Sequence, residues 1–252
     1  MRTLVSNQKA FTLIEVMISL AVAGIVAAAM YGFQQGQLKT YVTQETIVNM
    51  HQNARAAMHY MVSEIRMAGC DPTRAVDAGI TNATATSISF TMDFAGNGTL
   101  NYNFDGGTIA GPSGGPEPDW DYVMQRADGD LDDNGEAITY TLSGLDLIRT
   151  DTNSGNPGQV VARNFDALNF DYFDQNGNAL PVPVPSDRLE DITSVVVSLV
   201  ARSGESVPGF MRSQADTQVY TTKTGFSFGP ANDNFRRILL SNEIRLRNAG
   251  LS

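Results

Sequence analysis

From Phe11 to Phe33 the chain runs 23 residues with a single charged side chain, Glu15. About 20 apolar residues are enough to cross a bilayer core. "FTLIEVMISLAVAGIVAAAMYGF" therefore reads as a membrane helix, and the rest of the fold has to hang from it. It does not read as an ordinary secretory signal, whose cleavage site follows the apolar core. Here the basic, leader-like stretch "MRTLVSNQKA" comes before the run and carries Arg2 and Lys9 with no acid. Positive charge ahead of the run favours a cytoplasmic N-terminus.

No proline interrupts residues 11–71, so the helix is expected to continue past the apolar run. Met50, Ala54, Ala57, Met61, Ile65 and Ala68 recur at spacings of three and four, with Gln52, Arg55, Ser63 and Arg66 between them. That is the pattern of an amphipathic helix. Gly69 and Pro72 in "GCDP" stop it. One helix over residues 12–68 would be ~85 Å long, with local melting expected at Gly32 and Gly36.

Beyond Pro72 the period becomes two. "TSISFTMDF", "GTLNYNF", "WDYVMQR", "AITYTL", "LDLIRT" and "DALNFDYF" read as short strands bounded by Gly, Asn and Asp. "DITSVVVSLVARS" is β-branched and apolar enough to be a central strand. In "RRILLSNEIRLRN", Ile238, Leu240, Ile244 and Leu246 fall on one face, and Arg237, Ser241, Glu243, Arg245 and Arg247 on the other. The expected fold class is α+β: a long N-terminal helix whose amphipathic half packs on an antiparallel sheet. The organisation is a leader at 1–10, a transmembrane or assembly helix at 11–33, an amphipathic continuation at 34–70 and a β-rich head at 71–252.

Charge follows the same division. From Asp71 onward 24 Asp/Glu stand against 12 Lys/Arg, a balance of −12, while the whole chain is −10. That is the opposite of a nucleic-acid binder's basic footprint, and no nucleic-acid partner is expected. Cys70 is the single cysteine, so no disulfide can form within the chain, and it reads as a small buried hydrophobe.

The stretch "KAFTLIEV", with the basic leader before it and the apolar helix behind it, resembles the N-terminus of type IV prepilins and of type II secretion pseudopilins. The resemblance implies that a prepilin peptidase cuts between Ala10 and Phe11 and methylates the new N-terminus on Phe11. The family usually places Gly before the cut, and here Ala10 stands there. "NARAAMHYMVSEIRMAG", "VVVSLVARS" and "RRILLSNEIRLRN" look most like minor pilins of the PilW type, with J-type pseudopilins next. The implied partners are other minor and major pilins, the inner-membrane assembly platform, and lipid before assembly. The implied location is a single pass in the inner membrane with the head outside the cytoplasm, then the pilus. A tethered adhesin or binding head exported by the same route is the alternative from another class.

Glu15 needs a physical account. A charge at the centre of a membrane helix costs about 2.5–3.5 kcal/mol, but Glu15 lies about 6 Å from the start of the helix, near the headgroups. The helix N-terminus also favours a negative charge. The resemblance implies an assembly role, in which Glu15 pairs with the amine of Phe11 in a neighbouring subunit. A carboxylate in an apolar bundle is costly alone and tolerable when paired, so it would fix subunit register.

One further motif stands out. In "DGDLDDNGEAI", Asp130, Asp132, Asn134 and Gly135 make the first half of a calcium loop, and Glu136, Asp128 or Asp133 could add oxygens. Thr141 stands where the closing Glu should be. Calcium is thus the one cofactor suggested, and a solvated acidic turn is the competing reading. His51 and His59, eight apart on one helix, do not form a metal pair on one face. No nucleophile elbow, phosphate loop, Cys–His pair or zinc set is visible, and the expectation is a structural subunit rather than an enzyme.

Overall fold

The structure is a computed structural model that describes residues 11–72, 74–94, 103–104, 107–108, 129–155, 158–204 and 215–248. It opens with α1, Leu13–Ile65, a single helix of 53 residues. At 1.5 Å per residue that is ~80 Å. The helix passes through Gly32 and Gly36 without a break, against the expectation of local melting there. Neither Gly24 nor Gly32 has anything within 4 Å of where a Cβ would stand, so these glycines serve no close contact within the chain.

The two halves of α1 behave as their residues dictate. The apolar half buries nothing against its own head: Leu13, Leu20, Ile25, Met30 and Phe33 are all exposed. The second half buries Met50, Ala54, Ala57, Met58, Met61 and Ile65, the face marked out by its spacing. The chain turns after Ile65 and leaves through Gly69, whose φ of +74° suits a residue without Cβ. An added Cβ there would also press on the Ala78 carbonyl at 3.3 Å.

The expected single sheet is two. The first has five antiparallel strands: β1 (Ile80–Ala83), β2 (Ser87–Thr91), β5 (Ala137–Ser143), β6 (Asp146–Asp151) and β7 (Gln159–Arg163), in the order β1-β2-β5-β6-β7. The second has three, β8 (Phe165–Phe173), β9 (Ser194–Arg202) and β12 (Arg237–Arg245), in the order β12-β9-β8. Small ladders join β3 (Asn103–Phe104) to β4 (Gly107–Thr108) and β10 (Tyr220–Thr221) to β11 (Ser227–Phe228). A 3-10 turn spans Ser186–Asp191. The chain passes from one sheet to the other at Asn164, which takes a φ of +67°. Asn tolerates that left-handed region better than most residues.

β9 is central, as its composition implied, and seven of its nine residues are buried. Its core side, Val195, Val197, Leu199 and Ala201, meets Leu168, Phe170 and Tyr172 of β8 and Ile244 of β12. These residues form one continuous core with Ile88, Phe90, Ile138, Tyr140 and Leu147 of the five-stranded sheet and with the buried face of α1. The strands expected in "WDYVMQR" and in most of "GTLNYNF" lie outside the described residues.

Candidate functional site: the helix start and the turn at Asp130

The first residues of α1 assemble a capping box. The Thr12 backbone N–H donates to Glu15 Oε2 at 2.8 Å, and the Thr12 hydroxyl donates to the same oxygen at 2.9 Å. In return the Glu15 N–H reaches the Thr12 hydroxyl oxygen at 3.4 Å. Such a reciprocal pair satisfies two of the donors that every helix leaves open at its N-terminus. The carboxylate that looked like a stray charge in an apolar run is thereby held over the positive end of the helix. Its partner Thr12 was missed in the sequence, although "TLIE" carries the T-x-x-E signature of this cap. Phe11 stands outside the helix and is 86% exposed, so its backbone is open to an enzyme or a neighbour. Ala10 and the leader lie outside the described residues.

Farther along, α1 is fixed to the five-stranded sheet by a polar clasp. Glu64 accepts from the Tyr140 hydroxyl and from Arg149 Nε at 3.0 Å. The two charged side chains are only 18% and 12% exposed. Burial, with the Glu64 carboxylate next to it, holds the Tyr140 hydroxyl far above its ordinary pKa, so it stays a donor. Asn53 adds a bond from its amide to the Arg163 carbonyl at 2.7 Å. An open groove runs between this part of α1 and β7, lined by Glu45, Asn49, Asn53, Val160, Arg163 and Arg202 among others.

The candidate calcium loop is only partly assembled as expected. Asp130, Asp132 and Asp133 bring their carboxylates within 4.8 Å of one another. Glu136 does not join them. It is fully buried, and its two oxygens accept the backbone N–H groups of Phe94 and Asp133 at 3.1 Å each. Asn134 lies at the exposed tip of the turn. Asp93 and Asp151 hold the turn's ends through the N–H groups of Gly129 and Gly135, and Asn153 binds the Leu131 and Asp133 carbonyls. Carboxylates that bind backbone N–H groups are turn builders. Among the described residues no other group of His, Cys, Asp and Glu gathers in this way, and neither His51 nor His59 belongs to one. The stretch "DQNGN" at 174–178 is a plain turn, with Asp174 accepting from the N–H groups of Asn176 and Asn178.

The expected polar face of β12 needs one correction. Arg237 was placed there, yet its side chain is only 2% exposed. It binds Asp233 through two nitrogens at 2.6 and 2.7 Å, Asp166 at 2.6 Å and Asp216 at 3.2 Å. Alternation along a strand gives the side of the sheet but not what covers that side. Residues 215–235 cover it here.

Comparison with known proteins agrees with the geometry at the helix start. Residues 5–31 match the family model described as the prokaryotic N-terminal methylation motif. No curated protein matches the chain. Among solved structures, a type IV-like pilin from Thermus thermophilus aligns with 80% of this chain and 98% of its own, at 11% identity and a TM-score of 0.45. The matched motif leads directly into the long apolar helix, and a sheet-built head follows it.

Proposed function

We propose that the chain is a minor pilin: a structural subunit, cut between Ala10 and Phe11 and methylated on Phe11, that enters a type IV pilus through α1, in a tip or initiation complex. It waits in the inner membrane as a single-pass protein with its head outside the cytoplasm. The observation that carries this reading is the division of α1. One continuous helix commits its second half to its own head and leaves its first half wholly exposed, with Glu15 at the tip. An exposed apolar helix must be covered by lipid or by other helices. In a bundle of such helices the Glu15 carboxylate, released from Thr12, pairs with the methylated amine of a neighbour's Phe11, and a subunit out of register buries it unpaired. The prepilin peptidase, the assembly platform and other pilins are its partners in this sequence of events.

The test is Glu15→Leu in the natural host. The variant should insert in the membrane and be processed as the parent is, while its recovery in sheared pili falls sharply. Undiminished recovery would overturn the docking role. Deletion of the gene should reduce surface pili, and loss of protein secretion with pili intact would assign the chain to a secretion pseudopilus instead.

A further inference from the structure

We propose that the groove between α1 and β7 is an interaction surface for an extended peptide segment of another protein, which joins the five-stranded sheet as a further strand beside β7. The contact is independent of Glu15 and of how the apolar halves of the helices pack.

β7 stands last in the order β1-β2-β5-β6-β7, so among the described residues only one of its edges is paired. The edge of a sheet presents a row of N–H and C=O groups to whatever comes beside it. Residues 160–163, four in succession, line the groove. Side chains alternate between the two faces of a strand. A groove that touches every residue of a run therefore lies along the strand's edge and not on one face. The opposite wall is a single stripe of α1: Val42, Glu45, Thr46, Asn49, Met50 and Asn53, at spacings of three and four. That stripe is about 16 Å long, the length of about five residues of extended chain. The groove holds about 640 Å³, inside the range of about 300–1,000 Å³ usual for ligand sites.

One bond shows how a strand would be received. The Asn53 amide donates to the Arg163 carbonyl at 2.7 Å, as the N–H of a neighbouring strand would. It ties α1 to the last residue of β7 and leaves the earlier ones to a partner. A seam that served only packing would be closed by apolar side chains. Here Asn49, Asn53 and Asn164 line it, and Val42 and Val160 stand 53% and 45% exposed beside them.

Charge sets the partner's pattern. Arg163 and Arg202 line the strand side and Glu45 the helix side. The Arg163 side chain is 73% exposed, and its contact with Asp146 is 3.9 Å long. Such a surface pair is worth little, so the guanidinium can turn to a new carboxylate. Glu45 stands eight residues before Asn53, about 12 Å along the helix from the end where Arg163 lies. At about 3.3 Å per residue that distance is about four residues of strand, an even step that keeps both side chains on one face. The occupant that fits is an extended peptide with an acidic and a basic side chain four residues apart and β-branched residues between them. A uniformly acidic polymer would match Arg163 but meet Glu45 as a like charge.

The test uses the full processed chain in a neutral detergent. The probe is a dye-labelled seven-residue peptide of threonine and valine, with lysine at its second position and glutamate at its sixth. Its anisotropy should rise to saturation, and amides in residues 159–162 should gain exchange protection. Two isomers of the peptide, N-methylated on alternate sets of backbone nitrogens, separate strand addition from side-chain attraction. Only one edge of the peptide faces β7, so one isomer should bind and the other should not. Arg163→Glu and Glu45→Lys, both at exposed positions, should each weaken binding about tenfold, with an unchanged melting midpoint as the sign that the fold is intact. Glu15→Leu should bind the peptide like the parent, which separates failure of this surface from failure of the docking role. Equal binding of both isomers, or no binding at millimolar peptide, would overturn the proposal. So would a uronic-acid trisaccharide that occupies the groove where the peptide does not, or dimers of the chain that close the groove and exclude the peptide.

Discussion

Thr12 decides how the one carboxylate in the apolar run is held at the exposed start of α1. With both its hydroxyl and its N–H on Glu15 Oε2, the carboxylate is already hydrogen-bonded within its own chain. Replacing Thr12 with Ala removes the side-chain half of that box, a change worth about 1 kcal/mol at a typical helix N-cap. The expected result is fraying of the first turn of α1, seen as faster amide exchange at residues 13–16 in micelles, with the rest of the helix unaffected. A Thr12→Ser variant should restore protection, because only the hydroxyl is needed. The position and type of Glu15 were legible in the sequence, since one carboxylate in an apolar run has no neighbours to confuse it. Glu136 is the opposite case. A carboxylate in a turn can face outward to a cation or inward to backbone N–H groups, and only the fold places Phe94 where Glu136 can bind it.

At the scale of elements, the long helix was readable because its apolar face repeats over many turns, and β9 because its β-branched run permits little else. β1, "ITNA", and β7, "QVVAR", were not readable. Each is short and lacks alternation, and each exists because a longer strand pairs with it. The division into two sheets was equally hidden, since it turns on one residue, Asn164, in a left-handed conformation. The join between helix and sheet rests on a buried ion pair and is testable as such. Glu64→Ala strands Arg149 and the Tyr140 hydroxyl without their acceptor, and breaking a buried pair on one side costs about 3–5 kcal/mol. The residual exposure of both side chains puts this site at the lower end. Urea midpoints should fall accordingly for Glu64→Ala, and the double variant E64L/R149M should recover most of the loss, because it leaves no charge uncompensated. Equal losses in the single and double variants would mean that packing, and not the charge, holds α1 to the sheet.

For the molecule as a whole, the clasp around Arg237 ties the covering segment, residues 215–235, to the three-stranded sheet. Asp166 comes from β8, Asp216 and Asp233 come from the covering segment, and Arg202 of β9 closes the group against Asp166 at 3.5 Å and over the Phe235 ring. Tyr220 donates to Asp216, and burial together with that carboxylate pushes its pKa up to about 12. The Arg237 guanidinium, bonded through two nitrogens, holds the Asp233 carboxyl below its ordinary range. The sign follows from linkage. A carboxylate with a depressed folded pKa contributes its full stabilisation above the unfolded value near 3.8, and that contribution is lost as pH falls through the lower folded value. Stability of the head should therefore hold at neutral pH and decline as pH falls through and below the unfolded carboxyl value near 3.8, with amides of residues 215–235 losing exchange protection before those of β9. Arg237→Gln should lower the neutral-pH melting midpoint and flatten the acid decline. In that variant Asp233 loses the guanidinium that holds its carboxyl low, so its share of the acid-dependent stability goes with it. An acid profile as steep in Arg237→Gln as in the parent would place the acid sensitivity in other carboxylates of the head.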